Sequence, residues 1–184
     1  MEGFAENLLP TSGSPPEPFC KTILALLTPV PEWEPALCAD LEGAFGTFDY
    51  RGKFFRFDVT DYYAAEMGNP LYRAIGSFQG LGSPQDLVEW KWRARILEGR
   101  WSRNGLRVRN FDIGYLDADK LVLASFKRGP CKLYLGKGVW GDMEMGYSKG
   151  EFSPTEWAFA DFRDGRYNGS LMTIREKMKA GMRK

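Results

Sequence analysis

The sequence contains no histidine. That excludes a Ser-His-Asp or Cys-His nucleophile, a His-ligated zinc and a histidine general base. Catalysis by this chain would have to rest on carboxylates, Lys, Tyr, Cys or a bound metal. Cysteine is scarce: Cys20, Cys38 and Cys131 make an odd count without Cys-x-x-Cys spacing, so neither a disulfide framework nor a zinc knuckle is written here. Buried free thiols are expected. Nothing approaches the ~18 consecutive apolar residues of a membrane helix. The acidic start, with Glu2 and Glu6, lacks the charged-then-apolar pattern of a signal peptide. A cytoplasmic protein without a membrane partner is the expectation. A net charge of one sign is missing as well, because 25 Lys+Arg stand against 24 Asp+Glu. No global field advertises a polyanion, and electrostatic arguments must be local.

What is present is a chain of 184 residues, 43% hydrophobic and 15% aromatic, long enough for one well-filled core. The Pro-rich stretch 1–18 reads as a disordered lead-in, and 19–184 as a single α+β domain. The apolar run Thr22 to Leu27, closed by Thr28-Pro29, predicts a buried strand. Leu37, Leu41, Ala44 and Phe45 share a helical face over Pro35 to Phe45, which Gly46 stops. An extended segment at Lys53 to Val59 leads into a short helix opened by Asp58 or Thr60 and ended at Gly68. Leu71 to Phe78 reads as a further strand. Ser83 and Pro84 open a helix to Trp101 with Leu87, Trp90, Ala94 and Leu97 on one face. Strands are expected next at Leu121 to Phe126 and at Val139 to Tyr147, where Val139, Met143, Met145 and Tyr147 alternate with Trp140, Asp142 and Glu144. Gly136-Lys137-Gly138 and Ser148-Lys149-Gly150 supply turns, and Asn168 to Ala180 a closing helix. This order suggests a split βαβ, ferredoxin-like core with an added antiparallel β-meander and a C-terminal helix, a generic α+β sandwich being the alternative.

Charge is sorted by region. Met1 to Tyr50 holds eight acidic residues and one Lys, whereas Lys91 to Arg109 holds seven basic residues and Glu98 alone, a local net of +6. Trp90, Trp92 and Trp101 interleave with the basic residues, as at single-stranded nucleic-acid sites. The same spacing also fits a helix with its Trp residues in the core and Arg93 and Arg100 on a solvated face. Gly136 to Gly141 fits G-x-G-x-x-G, but the residues after it alternate like a strand, so a hairpin turn accounts for it and a dinucleotide fingerprint does not. There is no P-loop and no Asn-Lys-x-Asp.

The constellation Phe57-Asp58-Val59-Thr60-Asp61-Tyr62-Tyr63 with Glu66-Met67-Gly68 gathers carboxylates at a strand end and helix start. Asp58, Asp61 and Asp112 are candidate Mg²⁺ ligands, bridging to a phosphate near Thr60, Tyr63 and Glu66. Asp112, Tyr115, Asp119 and Lys120 could supply an opposite wall, with Lys120 as cation and Tyr115 as donor. A cap at Asp58 or Thr60 and a core Tyr explain the same residues without a ligand.

These residues, with Gly114-Tyr115, Lys120 to Ser125 and Leu133-Tyr134-Leu135, resemble the prokaryotic family known as domain of unknown function forty-four sixteen, over about residues 19 to 180. The resemblance implies a cytoplasmic protein of this length without an established activity, some of whose members carry a GTP-binding label. The chain differs from the family's pattern at Cys131-Lys132, where members often have His-Arg. Three functions therefore compete, beside a fourth reading as an enzyme with carboxylate or metal chemistry. They are a binding protein for a nucleotide or other phosphorylated small molecule, Mg²⁺-dependent in one version; an RNA- or single-stranded-DNA-binding protein using the 91–109 segment; and a protein-interaction domain with an apolar patch around Trp140, Trp157, Phe159 and Phe162. No residue is assigned a catalytic role.

Overall fold

The structure, a computed structural model, describes residues 19–183, so the expected lead-in 1–18 lies outside the described residues. Strand β1 (Lys21–Thr28) lies in the interior of a large antiparallel sheet. Its residues Ile23 to Leu27 are wholly inaccessible because the sheet is covered on both faces, which explains a continuous apolar run in place of an alternating one. Helix α1 (Pro35–Phe45) has Pro in its first turn and ends where Gly46, at φ +93°, donates its N–H to the Glu42 carbonyl. β2 (Phe48–Arg51) and β3 (Phe55–Phe57) both pair with β4 (Leu71–Phe78), and β4 returns beside β1. Between β3 and β4 lies the short α2 (Ala64–Met67).

A single 3₁₀ turn at Pro84–Asp86, in which the Ser83 N–H donates to Asp86 Oδ2 at 3.4 Å, leads into α3 (Leu87–Arg100). A two-residue hairpin, β5 (Ser102–Arg103) and β6 (Leu106–Arg107), precedes β7 (Asn110–Leu116), which pairs with the other side of β1. β8 (Lys120–Ser125), β9 (Leu133–Gly136), β10 (Val139–Ser148) and β11 (Glu151–Pro154) extend the sheet, and α4 (Asn168–Met182) closes the described chain. The strand order is β11-β10-β8-β7-β1-β4-β2, with β9 beside β10 and β3 beside β4. Each pairing is antiparallel.

The two faces carry different helices. On one, Leu37 and Leu41 of α1 and Leu87, Ala94 and Leu97 of α3 pack on Leu24, Leu26, Phe111 and Ile113. On the other, Leu171, Ile174 and Met178 of α4 pack with Ile23, Ala25, Leu121 and Met145. None of the helices among the described residues is long and apolar enough to cross a membrane.

Several local expectations need correction. The expected strand at Lys53 to Val59 shrinks to β3. α2 begins only at Ala64, behind Tyr63, and neither Asp58 nor Thr60 caps it: Thr60 Oγ1 accepts from the Tyr62 N–H at 3.1 Å, a local hydroxyl turn one step earlier. Cys20 and Cys38 are buried as expected, but Cys131 is exposed. The expected apolar patch is not continuous, since Phe162 is buried while Trp157 is exposed. The alternation along β10 also breaks. The pairing slips between Met143 and Met145, so Glu144 is an inserted bulge residue. Val139 therefore joins the α3 face, Met145 the α4 face, and Met143 is exposed while Asp142 and Glu144 are buried.

Candidate functional site in a split of the sheet

β7 and β8 pair only over Gly114 to Leu116, opposite Leu121 to Leu123. Toward the start of β7 the two strands part: Asn110 to Ile113 stay with β1, while Ala124 and Ser125 follow β10. Parting strands leave backbone groups without a ladder partner, which inside a protein must be paired otherwise. Helix α3 supplies the pairing. Lys91 Nζ donates to the Phe111 carbonyl at 3.3 Å, and Glu98 Oε1 accepts the Phe111 N–H at 2.8 Å.

The split opens into a cleft of about 510 Å³. This is within the ~300–1,000 Å³ range of small-molecule sites. Its lining carries five cations, Lys91, Arg95, Arg107, Lys127 and Lys132, against Glu66, Glu98, Asp112 and Asp142, and the rings of Tyr63, Trp92, Phe126 and Phe159. Four of the cations are ion-paired: Arg107 to Glu66 at 2.7 Å, Lys132 to Asp142 at 2.7 Å, Arg95 to Glu98 at 3.6 Å and Lys91 to Asp112 at 3.8 Å. Among the described residues, Lys127 has no carboxylate partner. Its ammonium instead meets the Tyr62 hydroxyl and sits 4.1 Å from the centre of that ring. Trp92 packs edge-on against Phe126, ring centres 4.9 Å apart, and remains 42% exposed.

Behind the cleft, on the α4 face, lies a buried charge network. Arg73 of β4 donates through one guanidinium nitrogen to both Asp161 oxygens, at 3.0 and 2.8 Å, and reaches Asp112 at 3.4 Å. The Tyr167 hydroxyl donates to Asp161 at 2.9 Å. Arg73 and Asp161 are 1% and 0% exposed, so this is a desolvated cluster that must satisfy itself. Glu144 completes it. Its Oε2 accepts the Phe159 N–H at 2.7 Å while its buried Oε1 has no partner. Burial pushes its carboxyl up to about 8, and Asp142 adds to the effect. Burial likewise raises Glu98 above the usual carboxylate range, whereas the hydrogen bond from Arg107 holds Glu66 below it. Burial pushes the Tyr63 hydroxyl up to about 12, so Tyr63 faces the cleft as a neutral donor.

Of the residues singled out in the sequence, Tyr63, Glu66 and Asp112 meet in this cleft. Thr60 borders two smaller hollows, one adjoining the cleft and a second that adjoins the first, and Asp58 and Asp61 border the second. Asp58 faces Arg166 at 3.4 Å. The expected opposite wall is not brought together. Tyr115 and Lys120 lie at the other end of the sheet, where Tyr115 is five residues, ~17 Å, along β7 from Asn110. There Lys120 pairs with Asp117 at 2.6 Å, and Asp117 Oδ1 accepts the backbone N–H of Asp119. Nor do Asp58, Asp61 and Asp112 converge as a metal site: Asp112 is held by Arg73 and Lys91. Among the described residues, no group of three or more His, Cys, Asp or Glu side chains could hold a metal ion.

Arg73, Lys127, Lys132, Glu144 and Asp161 were not singled out. For Arg73 the signal was there, a charge inside the apolar run Leu71 to Phe78. Lys132 entered only as a departure from the family's pattern, and for Lys127 there was no signal, because both occupy a loop whose direction depends on the parting of β7 and β8.

A family model described as a domain of unknown function, DUF4416, matches residues 18–178. No curated protein and no solved structure matches the chain.

Proposed function

The chain belongs to the DUF4416 family, a domain of unknown function, and we propose from the geometry of its cleft that it binds a phosphorylated small molecule of nucleotide size. The observation that carries this reading is Lys127, a cation without a carboxylate partner among the described residues, at the mouth of a 510 Å³ cleft already lined by four more cations and four aromatic rings. An anion there would gain charge-assisted hydrogen bonds without first displacing a carboxylate from Lys127. The Mg²⁺-dependent version of the reading loses its support, because Asp58 and Asp61 border a hollow that shares no lining residue with the cleft and Asp58 faces Arg166. We also infer that the run β1-α1-β2-β4-α3-β7 is a split βαβ core of the ferredoxin-like kind. The strand order β7-β1-β4-β2 and the shared face of α1 and α3 support it.

Thermal unfolding with mono-, di- and triphosphates, each with and without Mg²⁺, tests the binding reading. A ligand at 100 times its dissociation constant stabilises by ~2.7 kcal/mol, a shift of roughly 5–10 °C at this size. The shift is expected to disappear in Lys127→Ala while the melting temperature of the free protein stays unchanged. A flat panel would overturn the proposal.

A second reading keeps one observation in its favour, the exposed Trp92 beside Arg95 in the lining of the cleft. A single-stranded nucleic acid could stack there. Yet five of the seven basic residues of the 91–109 segment have partners within the chain: Lys91 with Phe111 and Asp112, Arg107 with Glu66, Arg109 with Glu34 beneath the Trp101 ring, and, at the surface, Arg93 with the Ala44 carbonyl and Arg95 with Glu98.

A further inference from the structure

Resting on the reading of the cleft as an anion site, we propose that its ligand has two parts: a hollow of about 230 Å³ next to the cleft takes a planar aromatic group, and the cleft cations hold the anionic end. The hollow and the cleft share Tyr63, Lys127 and Phe159 in their walls, so the two spaces adjoin along a common boundary. Their chemistry differs. The hollow is walled by Phe57, Val59, Tyr62, Ala160 and the shared rings, with Thr60, the shared Lys127 and the Arg73–Asp161 pair as its polar elements; both Asp161 oxygens are already held by Arg73, whose buried Nε has no partner.

The walls favour a ring over an alkyl chain. Tyr62 and Tyr63 stand perpendicular, 4.9 Å between centres at 88°, and Phe57 meets Tyr63 edge-on at 5.9 Å. Ring edges and faces set at these distances and angles are the surfaces that a further aromatic group pairs with. Tyr62 is 61% exposed at the mouth, an apolar surface that an inserted ring would cover. Lys127 lies over Tyr62 and between the two spaces, so a phosphate joined to the ring by a short linker would fall beside its ammonium. The other aromatic pair, Trp92 and Phe126, is less open. The two rings contact each other, and the Trp92 indole N–H already donates to the Lys137 carbonyl at 3.2 Å.

Titration calorimetry with matched probes decides it: inorganic phosphate and ribose 5-phosphate against phenyl phosphate, AMP and GMP. The aromatic members are expected to bind about tenfold tighter or more, as burial of a ring provides. Ala160→Phe, an exposed position on the hollow's wall, should abolish that preference and leave ribose 5-phosphate affinity unchanged, with Val59→Phe as the second filling variant. Trp92→Ala should retain the preference. Equal binding of ring-bearing and ringless phosphates overturns the inference and leaves the anion cleft standing. So does a preference lost in Trp92→Ala but kept in both filling variants. If no probe binds at all, the anion reading fails, and this inference with it.

Discussion

Lys91 and Glu98 do for Phe111 what β8 does for Gly114 a few residues farther along β7, pairing a backbone carbonyl and N–H that would otherwise be buried alone. Glu98→Ala leaves that N–H without an acceptor, so a loss of ~1–3 kcal/mol is expected in urea unfolding. Glu98→Gln keeps an acceptor and should recover most of it. Glu144 makes a pH-dependent case. It accepts the Phe159 N–H and feels the charges of Asp142 on its own strand, Arg73 on β4 and Asp112 on β7, and burial dominates, pushing its carboxyl up to about 8. Between the ordinary carboxyl pKa and 8 the folded chain holds a proton that the unfolded chain has released. Stability therefore falls as pH rises through that window and levels off above it. Glu144→Gln has no proton to lose. Its melting temperature should draw ahead of the wild type from pH 5 to pH 9 by several degrees, at roughly 2–4 °C per kcal/mol. A gap that stays constant with pH would show that Glu144 is ionised in the fold.

At the scale of elements, the cleft depends on where the β7–β8 ladder stops. Gly114 is the last paired residue before the strands part, and a Cβ there would press on the Val122 carbonyl and Leu123. Gly114→Ala should cost ~1–3 kcal/mol or more by overpacking, because backbone and not a flexible side chain is in the way. It should also weaken ligand binding by moving β8 and the Lys127 loop after it, which titration of the variant would report. The sequence made most elements legible for physical reasons that can be named. β1 is buried on both faces and reads as a continuous apolar run, β4 reads as one broken by Arg73 and Ser77, and α3 follows Ser83-Pro84 with Leu87, Trp90, Ala94 and Leu97 all buried. β10 misled because one inserted residue, Glu144, reverses the faces of everything after it, and periodicity does not announce an insertion. The same limit applied to the site. Tyr63, Glu66 and Asp112 reach the cleft, whereas Tyr115 and Lys120 are carried to the opposite end of the sheet by the direction of β7 and β8. Which end of a strand faces which loop is fixed by strand order, and composition near one strand end does not contain it.

For the whole molecule, the sorted charge of the sequence becomes a distribution that separates the two binding readings by salt. The cleft's five cations face four carboxylates, so its net field is small and a ligand is held by short contacts in a recess. With Lys91, Arg107 and Arg109 held by internal partners, the basic segment offers the exposed Arg93, Arg95, Arg100 and Arg103 to a polyanion, Arg93 and Arg95 giving up contacts with the Ala44 carbonyl and Glu98. They do not form one stripe. Arg93 and Arg100, seven residues apart, share a face of α3, Arg95 lines the cleft, and Arg103 lies on the hairpin beyond the helix. If all four engaged single-stranded nucleic acid, its affinity would fall with a log–log salt slope of about −3, from ~0.7 per neutralised phosphate. Fluorescence anisotropy of a labelled oligonucleotide should therefore show weak binding that vanishes by about 0.3 M KCl, while calorimetry at the same salt still detects the aromatic phosphate in the cleft. Oligonucleotide binding that survives that salt, or a slope much steeper than four cations can give, would move the function from the cleft to the surface of α3.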